Sequence, residues 1–192
     1  MERETIGVVS GLPRSGTSMM MRMLEAGGLE VLTDNIRTAD KDNPKGYYEF
    51  ERVKQLDHDA GWLENAKGKV VKIISQLLQD LPADCRYRVV FMHRAMDEIL
   101  ASQRRMLVRR GEATDKISDE QMAALFRKHL EWVEDWLDQQ PNFDVIHVSY
   151  NEVLAHPHEE AKRVNSFFER ELDVGAMKKV IDPTLYRQRH QD

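Results

Sequence analysis

Thr5-Ile6-Gly7-Val8-Val9-Ser10-Gly11-Leu12-Pro13-Arg14-Ser15-Gly16-Thr17-Ser18 is the stretch on which the reading of this chain turns. Its first six residues are apolar, β-branched and uncharged, as in a strand buried on both faces, and Gly11 and Pro13 end that strand. From Thr17 to Ala26 the residues are helix formers, closed by the stop signal Gly27-Gly28. The unit is therefore strand, glycine loop and helix, in which main-chain N–H groups and the positive end of a helix converge on an anion. The pattern G-x-x-x-x-G-T-S has the glycine spacing of a Walker A loop but puts Thr17 where that loop carries lysine. Arg14 is the cation inside the loop that stands in for it. No later strand ends in an Asp placed to hold Mg²⁺, so anion binding is indicated and ATP hydrolysis is not.

Working outward, apolar runs at Val70 to Ile74, Tyr87 to Met92 and Phe143 to Ser149 have strand length. Helical periodicity is expected from Tyr48 to Asn65, from Ser118 to Gln140 and from His158 to Glu171. In the second of these, Met122, Leu125, Phe126, His129, Trp132, Val133, Trp136 and Leu137 form one stripe whose aromatics read as core. Ser118 with Gln121 is a capping box signature at its start. Thr33 to Gly46 is a polar loop, either a substrate lid or a surface connection. Strands alternating with helices predict an α/β layered fold with a mainly parallel sheet.

The chain has 192 residues, which favours a single domain spanning 1–192 around one core. With 41% apolar and 32% charged residues it is expected to fold rather than remain disordered. The net charge of −5 argues against nucleic acid or another extended polyanion as partner, so any anion site is local. Cys85 stands alone, which excludes an intrachain disulfide and a cysteine metal site. No apolar run approaches the roughly 20 residues of a membrane span, and Met1-Glu2-Arg3-Glu4 lacks a secretion signal, so no membrane association and a cytoplasmic location are expected. His156 and His158 flank Pro157, and the other histidines lack metal spacing, so no metal ligand is assigned. Arg104, Arg105, Arg109 and Arg110 read as a solvated basic helix face.

A second anion site is predicted at the end of the strand Tyr87 to Met92. That strand delivers Arg94 to its C-terminal end, where open α/β sheets gather ligands, and Ser102 lies eight residues on in the following helix. An arginine and a hydroxyl so placed hold a phosphate by charge-assisted hydrogen bonds. Lys72 interrupts the apolar run Val70-Val71-Lys72-Ile73-Ile74, a costly position unless its charge reaches an anion or water.

Pro13 to Ser18 after an apolar strand resembles the 5′-phosphosulfate loop of sulfotransferases that use 3′-phosphoadenosine 5′-phosphosulfate (PAPS), particularly the tyrosylprotein-type and related bacterial enzymes. Arg94-Ala95-Met96-Asp97-Glu98-Ile99-Leu100-Ala101-Ser102 is similar to the segment that clamps the 3′-phosphate in that family, with Met96 where a proline is common. The resemblance implies a P-loop fold, a three-layer arrangement with helices on both faces of the sheet, and metal-independent transfer of sulfonate from PAPS to an acceptor hydroxyl or amine. It further implies that Arg14, Ser15, Gly16, Thr17 and Ser18 hold the 5′ end, and that Arg94 and Ser102 hold the 3′ end. Asn43 to Glu49 resembles a stretch of bacterial members that makes Glu49 the general base, and Lys72 falls beside the transferred group. Tyr150 either approaches the adenine or packs. Arg187 and Arg189 are candidates to complete the 3′-phosphate site, against an exposed basic tail. The rival readings are an ATP-dependent P-loop kinase or nucleotidase and a nucleotide-binding relative without catalysis.

Overall fold

The computed structural model describes residues 4–34, 36, 46–112 and 117–181. Strand β1 (Thr5–Gly11) is buried along its whole length because it is the central strand of a parallel sheet ordered β2-β3-β1-β4-β5. Its neighbours are β3 (Val70–Lys72) and β4 (Arg86–His93), with Val8 opposite both Val71 and Val89. The outer strands are β2 (Val31–Leu32) and β5 (Phe143–Ser149). Helix α1 (Thr17–Ala26) leads from β1 toward β2 and β3, whereas α2 (Met96–Arg110) and α3 (Asp119–Asp138) lead from β4 to β5 on the other side. The direction of winding therefore reverses between β1 and β4. The crevice at their C-terminal ends is where such sheets bind ligands.

Alternation along β1 divides the core. Val9 faces a cluster built with α1, α4 (Tyr150–Ala155), α5 (Pro157–Phe168) and α6 (Val174–Lys179), which includes Met20, Met23, Val164 and Phe168. Ile6 and Val8 face the opposite cluster, where Trp62, Phe91, Val133 and Leu137 are buried. Helical segments thus cover both faces, as expected for this α/β class. Among the described residues no helix is long and apolar enough to cross a membrane.

Several expected elements are redrawn. Residues 48–65 form no single helix but two 3₁₀ segments, Glu51–Gln55 and Gly61–Ala66. The break lies at Asp59, whose carboxylate accepts the Gly61 N–H at 3.1 Å, a local side-chain bond that competes with helix continuation. The apolar spacing is still satisfied, because Val53, Leu56, Trp62 and Leu63 all reach the core. Strand β2 is two residues long, too short to show periodicity, and pairs Val31 with Val70 and Leu32 with Val71. β3 ends at Lys72 rather than Ile74, and Ile74, 42% exposed, precedes a third 3₁₀ segment, Ser75–Asp80. Of the 33–46 loop, residues 35 and 37–45 lie outside the described residues.

Helix α3 opens with both halves of the capping box: Ser118 Oγ accepts the Gln121 N–H, and Gln121 accepts the Ser118 N–H. Its stripe is wider than the sheet it covers. At 100° per residue Leu125 and Trp132 fall at one flank, and they are 56% and 46% exposed, so Trp132 is not core. Val133 and Leu137, toward the opposite flank, are buried. Ser118→Ala is expected to lower stability by about 1 kcal/mol, read as a lower urea midpoint at unchanged slope. An unmoved midpoint would show that α3 does not depend on this cap.

Candidate functional site

The loop after β1 bends back against β4, and two glycines permit it. A Cβ on Gly11 (φ 140°) would lie 2.5 Å from the Met92 carbonyl oxygen, and one on Gly16 (φ 103°) would lie 2.5 Å from Cδ2 of Tyr150. Arg14 between them also takes a left-handed backbone (φ 74°), a conformation unfavourable for a residue with a side chain. Helix α1 then starts with no side-chain cap and no acidic residue in its first turn, so no carboxylate of that turn offsets the positive end of the helix. Ser15 is fully buried, and its Oγ has no hydrogen-bond partner among the described residues. A buried hydroxyl of this kind calls for a partner, and an anion in the loop supplies one.

Arg94 closes the loop from beneath. Its side chain is 8% exposed and is held on three sides. Nε donates to Oε2 of Glu98, itself 2% exposed, at 2.8 Å, and Nη1 donates to the Arg14 carbonyl at 3.2 Å. The guanidinium carbon lies 4.3 Å from the centre of the Tyr150 ring. Asn151 Nδ2 donates to the second Glu98 oxygen at 3.1 Å. Burial pushes the Tyr150 phenol above its ordinary pKa, so the ring remains a neutral wall. Arg14 reaches the same cluster through its side chain, with Nε donating to Oγ of buried Ser102 at 2.8 Å.

Across the loop lies a cavity of about 360 Å³ lined by Arg14, Thr17, Ser18, Glu49, Lys72 and Arg110 on its polar side. Phe50, Val53, Ile73, Ile74, Leu77 and Met106 form its apolar wall. The Lys72 side chain is only 10% exposed and does not snorkel into open solvent. Its Nζ donates to the Tyr47 carbonyl and stands 3.8 Å from Oε1 of Glu49. Ser18 Oγ donates to the same Tyr47 carbonyl at 3.1 Å, which joins this wall to the start of α1. Glu49 is positioned through its backbone: its carbonyl accepts from Thr33 Oγ1 at 2.9 Å and from the Asp34 N–H at 3.3 Å.

The residues singled out in the sequence therefore fall into two connected groups. Arg14 joins Ser102 through its side chain and Arg94 through its carbonyl, with Tyr150 against Arg94, and Glu49 and Lys72 line the cavity together with Thr17 and Ser18. Tyr150 packs, with its face against Arg94 and its edge against Gly16. Arg187 and Arg189 lie outside the described residues. Sequence reasoning missed Glu98 and Asn151, which orient Arg94, and Arg110, which lines the cavity from the end of α2. The signal for Glu98 was present, since a glutamate four residues after Arg94 in a first helical turn is within ion-pairing reach.

A family model described as the sulfotransferase domain matches residues 6–190. No curated protein matches the sequence significantly. Among solved structures, a sulfotransferase of Mycobacterium tuberculosis is 18% identical with a TM-score of 0.61, over 96% of this chain and 74% of that one. The sulfotransferase domain of the Synechococcus olefin synthase is 12% identical with a TM-score of 0.58, over 95% and 79%. A sulfotransferase of Mycobacterium avium is 14% identical with a TM-score of 0.55, over 100% and 70%. At such identities these three likenesses establish the shared fold.

Gly16→Ala adds a Cβ at a left-handed residue in collision with the Tyr150 ring. It is expected to destabilise by about 1–3 kcal/mol and to disorganise the loop, read as a lower Tm together with weakened anion binding. Wild-type values for both would show that the loop tolerates a different path.

Proposed function

The chain belongs to the sulfotransferase domain family, and from that premise we propose that it transfers the sulfonate group of PAPS to an acceptor hydroxyl or amine, releasing adenosine 3′,5′-bisphosphate (PAP). The observation that carries this reading is a buried, pre-oriented arginine, Arg94, set against the anion-binding loop, whose Arg14 bonds Ser102. A nucleotide phosphorylated at both the 5′ and 3′ positions has use for two such anion sites, and ATP, which has no 3′-phosphate, does not. The absence of the Walker lysine at Thr17 points the same way.

In the proposed reaction the loop amides, Ser15, Thr17 and Ser18 receive the 5′-phosphosulfate, and Arg94 and Ser102 receive the 3′-phosphate. Seating that phosphate exchanges the Arg14–Ser102 hydrogen bond for bonds to an anion, which are stronger. Glu49 takes the proton of the acceptor as its oxygen or nitrogen attacks sulfur. The bond from sulfur to the bridging phosphate oxygen breaks, and the departing negative charge falls on the 5′-phosphate. Arg14, Lys72 and the start of α1 meet that charge, so the chain's own cations suffice and the step as written calls on no metal. Tyr150 holds Arg94 in place through its ring face.

Replacing Arg94 alone would strand Glu98 as an unpaired buried charge, a change that typically destabilises by about 3–5 kcal/mol. The double change Arg94→Gln with Glu98→Gln avoids this. By calorimetry it is expected to weaken PAP binding by about 10- to 150-fold, the worth of one charge-assisted contact, with much smaller loss for AMP. Equal losses for the two ligands would contradict the 3′-phosphate assignment, and ATP binding as tightly as PAP to the wild type would favour the kinase reading.

Glu49→Gln is expected to lower kcat for sulfonate transfer from labelled PAPS by about 10²- to 10⁴-fold while PAP affinity is retained. Unchanged turnover would remove Glu49 as the base. No turnover by the wild type over a broad set of alcohols, phenols and amines would favour the binding-only relative.

A further inference from the structure

On the face of the sheet opposite Tyr150, the fold gathers three side chains that the sequence keeps far apart. His93 ends β4, His147 lies on β5, 54 residues later, and Glu134 projects from α3. Nε2 of His93 and Nδ1 of His147 are 2.8 Å apart, and Oε1 of Glu134 is 3.8 Å from the same His93 nitrogen. All three ligand atoms lie within 4.8 Å of one another. We propose that His93 Nε2, His147 Nδ1 and Glu134 Oε1 form a binding site for a divalent transition-metal ion of the Zn²⁺ class, which staples α3 to β4 and β5.

The distances suit such an ion. With metal–nitrogen and metal–oxygen bonds of about 2.0–2.2 Å in a tetrahedron, adjacent ligand atoms stand about 3.3 Å apart. The spacings of 2.8 and 3.8 Å lie about half an ångström on either side of that value, and the third is within 4.8 Å. The imidazoles are already oriented, since the Phe91 ring packs 5.2 Å from His93 and 5.8 Å from His147. The hydrogen bond between the rings shows their nitrogens converging on one point. Metal entry requires both to be proton-free, and the ring that donates in the pair meets this by shifting its proton to its other nitrogen, with no net change. Two imidazoles and one carboxylate favour Zn²⁺, Co²⁺ or Ni²⁺ over Mg²⁺ or Ca²⁺, and the fourth position falls to water. The nearby cation Arg163 donates to the His147 carbonyl at 2.8 Å, and its charge is matched by Glu160 at 2.8 Å.

This site is separate from the proposed sulfonate-transfer chemistry. His93 points toward the α3 side of β4, whereas Arg94 turns to Tyr150 on the other side. The metal is therefore structural in this proposal. The spacing of histidines along the chain conceals it, because the pair exists only through the parallel register that sets Phe91 beside His147 and His93 beside Ser149.

The test is calorimetric titration of the full chain, free of affinity tag and stripped with EDTA, with ZnCl₂, alongside the visible spectrum of the Co²⁺ form. One Zn²⁺ per chain is expected, not displaced by millimolar Mg²⁺, with a tetrahedral Co²⁺ spectrum. Tm should rise by about 5–10 °C at a hundredfold excess over Kd. His147→Ala, at an exposed position, and Glu134→Gln should each weaken the isotherm and reduce the Tm rise, whereas His156→Ala should leave both unchanged. Absence of stoichiometric Zn²⁺ binding, or binding that survives His147→Ala or Glu134→Gln undiminished, overturns the proposal.

Discussion

The buried ion pair between Arg94 and Glu98 is the constraint on which the site depends. Placing a guanidinium and a carboxylate out of water costs several kcal/mol per ion, and their attraction offsets this only when the remaining donors and acceptors are also satisfied. Here Asn151 serves the second carboxylate oxygen, the Tyr150 ring covers the guanidinium face, and the Arg14 carbonyl accepts one of its N–H groups. Four pieces of chain meet in this arrangement: the end of β4, the first turn of α2, the start of α4 and the loop after β1. The strained backbone of Arg14 is held from below by the residue that the fold has oriented for anion binding.

A second constraint operates across the cavity. The Tyr47 carbonyl receives both Lys72 Nζ and Ser18 Oγ, which couples the end of β3 to the first turn of α1. Glu49 is held on the same segment by Thr33 and Asp34, at the end of the short strand β2. A base, a cation and the positive end of a helix thus share one wall, with an apolar surface facing them. Such pre-orientation lets charge develop on a leaving group without reorganisation of the protein at the moment of reaction.

The two faces of the sheet carry different kinds of chemistry. On the α1 side, cations converge on the crevice between β1 and β4, where the winding reverses. On the α3 side, imidazoles and a carboxylate converge instead. Both arise from one rule of strand geometry: successive side chains point to opposite faces, so the neighbours His93 and Arg94 are delivered to different environments.

The sequence by itself determined the central unit and the class of fold. Residues 5–26 are read correctly because strand, glycine turn and helix are each dictated by bonds between near neighbours, and the same holds for the pairing of Ser118 with Gln121. Arg94 and Ser102 stood out by their place after a strand, and the fold links them through Arg14, which bonds Ser102 by its side chain and Arg94 by its carbonyl. Only the tertiary structure decided that Asp59 would divide one periodic segment into two turns, that Arg14 would reach Ser102 across 88 residues, and that Asn151 would complete the carboxylate that grips Arg94. It also decided the meeting of His93 with His147. The physical reason is that periodicity records which residues avoid water, whereas the partner that a buried charge or ring nitrogen finds is set by strand order and register, to which residues throughout the chain contribute.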